Sequence, residues 1–167
     1  MREWVPVPST ARGRLATEAL AAFGEHGYEG VAVGALARAA GVTTGSLYHH
    51  FGSKLGLYAV VREEVERRVL DRMEGAVAAV GPTEPSAARA ALLVGFDYVT
   101  GHQFARLLAE PDPGGGADPV EGLLVRLDGD PRGRLLAAAW RAALSAATSG
   151  TALSRCRSAL ASIAHPG

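Results

Sequence analysis

Eight residues between positions 43 and 54 carry one kind of chemistry. Thr43, Thr44, Ser46 and Tyr48 bring hydroxyls, His49 and His50 bring imidazoles, Lys54 brings an ammonium, and Gly45 leaves open backbone between them. Hydroxyls and imidazoles exchange hydrogen bonds with base edges and phosphate oxygens, and an ammonium beside free helix N–H groups can hold a phosphate. No carboxylate interrupts the set. Between Glu29 and Glu63 the chain has no acidic residue, while Arg38, Lys54 and Arg62 fall inside the interval. A surface that meets a polyanion is expected to keep acid out in this way. Across the whole chain 17 basic residues balance 17 acidic ones, so the distribution of charge carries the point and its total does not.

Other chemistries find less support. An enzyme needs a nucleophile with its base, paired acids in a cleft, or metal ligands at workable spacing, and no such arrangement is recognisable; no enzyme activity is expected. Asp97 and His102 could imitate a metal pair, but there is no His-Glu-x-x-His run and no cysteine cluster, so neither metal nor cofactor is expected. Cys156 is the one cysteine, and it can form no internal disulfide. Phe96, Tyr98, His102, Phe104 and Trp140 mix aromatic walls with polar groups, as small-molecule cavities do, and are the candidate ligand-binding residues. Residues 1–8 lack the continuous apolar stretch of a signal peptide and no run is long enough to cross a bilayer, so the expected location is cytoplasmic, with no membrane partner.

The elements that must position these groups read as helices throughout. With 48% hydrophobic and 20% charged residues the chain can build a packed core, β-type alternation never persists, and apolar residues recur at helical spacing. Helices are expected over 10–24, 34–40, 44–50 and 53–79. After the break Gly81-Pro82-Thr83-Glu84-Pro85, more are expected over 86–101, 102–110, 119–127, 132–149 and 151–164. Gly24 is expected to stop the first helix, and the Pro- and Gly-rich stretch 111–118 to be a flexible loop. On the long fourth helix Leu57, Tyr58, Val61, Val65 and Val69 mark the buried side, with Glu63, Glu64, Glu66, Arg67 and Arg68 mostly solvated.

Residues 36–51 meet the needs of a helix-turn-helix one position at a time. Ala37 is small where the second helix crosses the first, Gly41 supplies the backbone angle of a tight turn, Val42 and Leu47 plug the angle between the helices, and Phe51 closes the core beneath. The polar residues left outside form a face that fits a major groove, whose width admits one α-helix. Ser46, Tyr48 and His50 suit phosphates, whereas Thr43, Thr44, Gly45 and His49 suit base edges. Lys54 opens the next helix and adds a phosphate contact.

The stretch from Gly41 to Lys54, together with Ala22-Phe23 and Gly27-Tyr28, resembles the TetR-type repressor family over residues 10–58. The resemblance implies an all-α protein. An amino-terminal three-helix DNA-binding domain with the helix-turn-helix, residues 1–55, would precede a helical effector-binding and dimerisation domain, residues 56–167. It further implies a bacterial homodimeric transcriptional repressor on a palindromic double-stranded DNA operator, released by a small-molecule effector that changes the distance between the recognition helices. The alternative is a helical dimeric interaction module that has lost strong DNA binding. Two departures bear on that choice: Ala32 and Val33 stand where relatives commonly carry a capping Ser or Thr, and Leu55 stands where they often carry an acid.

Residues 135–147 are apolar on nearly all sides, so a helix there needs cover from two directions. Pairing with the last helix and with a second copy would supply it. Leu136, Trp140, Leu144, Leu153, Leu160 and Ile163 are the expected dimer contacts.

Overall fold

A computed structural model describes residues 9–164; residues 1–8, considered above for a leader, lie outside the described residues. The described residues form nine helices and no strand, in keeping with the all-α expectation: α1 (Ala11–His26), α2 (Val33–Ala39), α3 (Thr44–Phe51), α4 (Lys54–Val80), α5 (Ala87–Gly101), α6 (Ala105–Ala109), α7 (Pro119–Asp128), α8 (Arg132–Thr148) and α9 (Leu153–Ile163).

Capping chemistry starts several of these helices. The Thr10 hydroxyl accepts from Gly13 N–H at the head of α1, and Asp118 accepts from Val120 and Glu121 N–H at the head of α7, where Pro119 already holds a helical φ. Gly24 was expected to end α1 and does not. It lies buried inside the helix because the α5–α6 turn crosses there, and a Cβ at this position would come within 2.8 Å of the Gln103 carbonyl oxygen. The helix continues to His26 and ends at Gly27. The helix expected over 102–110 is also shorter than its apolar pattern, because Gln103 takes a φ of 61° and turns the chain before α6 begins.

The 111–118 segment, expected as a flexible loop, is a helix-free loop closed on itself by hydrogen bonds. The Asp112 carboxylate accepts from Gly114 N–H (2.9 Å) and Gly116 N–H (3.0 Å), and Asp118 pairs with Arg141 of α8. These backbone donors also hold the Asp112 carboxyl below its ordinary range.

α4 is the axis of the molecule. Its first turns pack against α1 and α3, and its length lies along α5, with α7 beside it. Leu57, Tyr58, Val61, Val65 and Val69 are buried as their spacing predicts. Two charged residues of α4 depart from expectation. Glu64 is buried, held by Arg67 and Arg68 one turn on, and Glu66 is nearly so, bound to Arg62 at 2.9 Å. Arg62 lies in the acid-free interval but is only 4% exposed, donating to the Tyr58 hydroxyl and to the carbonyls of Leu107 and Glu110 at the end of α6. Its charge serves the interior and not the outer surface.

Candidate nucleic-acid interface

The candidate interface is assembled from α2, α3 and the first turn of α4. At the head of α2, Ala32 has the extended angles of a cap (φ −93°, ψ 135°) but no side-chain hydrogen bond, so the cap is missing as the sequence indicated. Gly41 then takes φ +64°, and Val42 N–H reaches back to the Ala37 carbonyl at 2.9 Å. This left-handed turn, costly for a residue with a Cβ, sets the angle between α2 and α3. Leu36, Ala37, Ala40 and Leu47 are buried at the crossing, with Val42 and Phe51 packed half-buried against them. From α1, the Arg14 guanidinium braces the turn by donating to the Ala40 carbonyl at 2.9 Å.

All the sequence-predicted reader residues lie on or beside α3. Thr43 caps it, its hydroxyl accepting from Ser46 N–H at 3.2 Å, so part of its hydrogen-bonding capacity is already committed. Thr44, Gly45, Tyr48 and His49 are exposed, and Ser46 and His50 half-buried. The His49 and His50 rings meet edge to face at 5.2 Å. Ser53 caps α4 by accepting from Gly56 N–H. Lys54 at the start of α4 lies with its ammonium 4.3 Å from the centre of the Tyr28 ring. Sequence reasoning missed that contact, and also what holds Tyr28: its N–H donates to the Glu110 carboxylate (3.1 Å) and its ring meets the Tyr58 ring at 5.0 Å. The Gly27-Tyr28 pair marked a turn in the sequence but gave no sign of a partner 82 residues away.

Residues 15–61, which span this whole arrangement, match the family model described as bacterial regulatory proteins, tetR family. These residues are therefore similar to the tetR-family domain. Over 61 residues the chain is 41% identical to the HTH-type transcriptional repressor AcnR of Corynebacterium glutamicum, covering 36% of this chain and 32% of that protein. Over 74 residues it is 38% identical to the HTH-type transcriptional regulatory protein RaaS of Mycobacterium tuberculosis, covering 44% of this chain and 34% of the relative. The chain thus matches about a third of the length of these curated relatives. Across nearly its full length it shares the fold of a tetR family transcription regulator from Shewanella sp. PV-4, with TM-score 0.67, 19% identity, and 93% and 96% of the two chains covered. The tetR family regulator PfmR of Thermus thermophilus is also similar, with TM-score 0.57, 22% identity, and 90% and 94% covered.

Beyond the helix-turn-helix, two sets of predicted residues divide between the core and the surface. Phe96, Phe104 and Trp140 are core residues, while Tyr98 is half-buried and His102 exposed. Positions two apart on a helix point to nearly opposite sides, so Phe96 enters the core while the Tyr98 ring meets the His102 ring outside it, tilted, at 4.3 Å. The α8–α9 groove and the cleft between α4, α6 and α8 have none of the five in their linings, whereas Tyr98 lines a cleft with Arg67, Arg68, Asp71 and Arg72.

The expected dimer contacts also divide. Leu136, Trp140, Leu144 and Leu160 are at most 2% exposed and fill the protomer's own core, which corrects their assignment to a dimer surface. Leu153 and Ile163 face outward, as does Leu135. The reason lies in the side chains on each face of α8: Leu136, Trp140 and Leu144 face the core, and Ala139, Ala142, Ala143 and Ala146 are left to line an outer groove of about 370 Å³ against α9.

Proposed function

We propose that this protein is a homodimeric DNA-binding transcriptional repressor whose α3 helices read the major groove of a palindromic operator. The observation that carries the reading is the outer face of α3, where Thr44, Gly45, Tyr48 and His49 stand exposed with no carboxylate on α2, α3 or the first turn of α4. Thr43, Thr44, Gly45 and His49 address base edges. Ser46, Tyr48, His50 and Lys54 hold phosphates, with Lys54 leaving the Tyr28 ring to do so. The match of residues 15–61 to the tetR family and the naming of relatives as transcriptional regulators support the same reading.

The division at 55/56 falls at the first turn of α4, so one continuous helix carries the reader into the second domain. Dimerisation is proposed along the α8–α9 groove, which Ile163 lines, together with the exposed Leu135 and Leu153 of the same two helices, leaving the buried leucines and Trp140 to the protomer core. A two-fold pair would then present its α3 helices about one DNA turn, ~34 Å, apart, and an effector would act by changing that separation. The protein works in a bacterial cytoplasm on this reading.

Electrophoretic mobility shift with a duplex carrying the gene's own upstream region tests it. A shift that weakens steeply as salt rises is expected. No shift at low salt with that duplex, nor with any member of a random duplex library, refutes DNA binding and favours the helical interaction module.

A further inference from the structure

The cleft where α4, α6 and α8 meet differs in chemistry from the reader and from the alanine groove. Arg62 and Glu66 enter it from α4, Arg141 from α8, and Asp112 and Asp118 from the loop that covers it, around a space of about 260 Å³. That is below the ~300–1,000 Å³ of sites for drug-sized ligands and suits a small metabolite. Arg62, 4% exposed, spends Nε on Glu66 Oε1 and Nη1 on Tyr58 and two carbonyls. Its second Nη and Glu66 Oε2 have no hydrogen bond among the described residues. Neither atom is sealed off, since Trp140 Nε1 is the one fully buried side-chain nitrogen or oxygen without a partner among those residues. A buried guanidinium and a neighbouring carboxylate thus each keep one free position toward the same space.

Charge narrows the occupant. Asp118 is already committed to Arg141 and to capping α7, and Asp112 to its loop amides. What remains is one donor of positive charge beside one acceptor of negative charge. A simple anion there meets Glu66 and a simple cation meets Arg62, whereas a molecule bearing both charges is matched at each end. Burial pushes the Glu66 carboxyl up even with Arg62 and Arg141 nearby, so an ammonium beside it relieves a real deficit.

We propose that this cleft binds a small zwitterion of free-amino-acid size, its carboxylate on Arg62 and its ammonium on Glu66. The proposal deepens the effector part of the reading above. Arg62 holds the Glu110 carbonyl, and Glu110 in turn accepts from Tyr28 beside Lys54, so the cleft is wired to the reader.

Titration calorimetry on the full chain without DNA tests the site, using the twenty common free amino acids and, for the best binder, its methyl ester and N-acetyl derivative. At least one free amino acid is expected to bind with millimolar or tighter Kd. Removing either charge of the ligand should weaken binding about tenfold or more, as loss of a charge-assisted hydrogen bond implies. Glu66→Gln, checked for helicity by circular dichroism, should lose as much, and Glu74→Gln on the exposed α4–α7 pair should lose nothing. No binding by any of the twenty, equal binding by the ester and N-acetyl forms, or undiminished binding by folded Glu66→Gln overturns the proposal. Should Glu66→Gln not fold, the ester and N-acetyl comparison decides alone. Because no DNA is present, failure here leaves the repressor reading to its own mobility-shift test.

Discussion

Ala32 already holds the angles of a helix cap and lacks only the hydroxyl that would complete it. Ala32→Ser should therefore raise stability by about 1 kcal/mol, read as a higher urea midpoint at unchanged slope. An unchanged or lower midpoint would show that α2 draws no support from its cap. On α3 the division of labour predicts different signatures. Tyr48→Phe should weaken all duplexes alike, about fivefold for a lost phosphate hydrogen bond worth roughly 1 kcal/mol, whereas Thr44→Ala should change which sequences are preferred. Competition binding against a randomised operator library separates the two outcomes, and a preference change in Tyr48→Phe alone would reverse the roles. At this scale the sequence was legible wherever the backbone made a local demand. Gly41 and the bare Ala32 are set by angles within one turn. The partners of Tyr28, Arg62 and Glu110 were not legible, because each depends on where α6 lands after a turn that no local pattern encodes.

Two helix crossings depend on the absence of a single Cβ. At Gly24 it would stand 2.8 Å from the Gln103 carbonyl oxygen, and at Gly133 it would stand 2.5 Å from the Val125 Cα and N. Backbone on the other side cannot swing away as a side-chain tip would. Overpacking costs about 1–3 kcal/mol, while alanine in a helix interior gains up to about 1 kcal/mol over glycine. Gly24→Ala and Gly133→Ala should both destabilise, Gly133→Ala the more, with equilibrium unfolding as the readout; a stabilised Gly24→Ala would mean that the α5–α6 turn yields freely. The same crossings explain which element bounds the sequence revealed. α3, α7 and α8 end within a residue or two of the positions their caps and periodicity indicated, because those signals are local. α1 overran Gly24 because that glycine answers a contact across the fold, and propensity alone reads it as a stop.

Burial of charge gives the molecule a pH dependence that composition does not suggest. Glu66 is raised above its ordinary 4.5 chiefly by desolvation. A carboxyl raised in the folded state contributes fully below its unfolded value, and the contribution is lost as pH rises through the folded one. Glu66→Gln removes that loss, so the variant should gain stability relative to the parent as pH rises above the ordinary carboxylate value. Parallel urea titrations below and above that value check the sign, and a constant difference would mean that Arg62 fully compensates the buried charge.

The proposed assembly turns on how α8 divides large from small side chains, which its all-round apolar sequence did not reveal. An all-round apolar helix such as α8 needs two covers; the protomer supplies one through Leu136, Trp140 and Leu144, and on the proposed pairing a second copy meets the alanine side. Alanines let two helix pairs approach closely, and the exposed Leu135, Leu153 and Ile163 add the apolar area that a lone protomer leaves in water. A charge placed there meets its own copy across a two-fold axis, so it opposes pairing without touching the core. Ile163→Asp, 56% exposed in the protomer, should therefore keep its helicity while shifting from dimer to monomer in sedimentation at micromolar concentration. The monomer should bind operator DNA much more weakly than the parent, since two readers joined in one body gain effective concentration that a single reader lacks. A parent chain that sediments as a monomer, or an Ile163→Asp chain that remains dimeric, would place the pairing surface elsewhere.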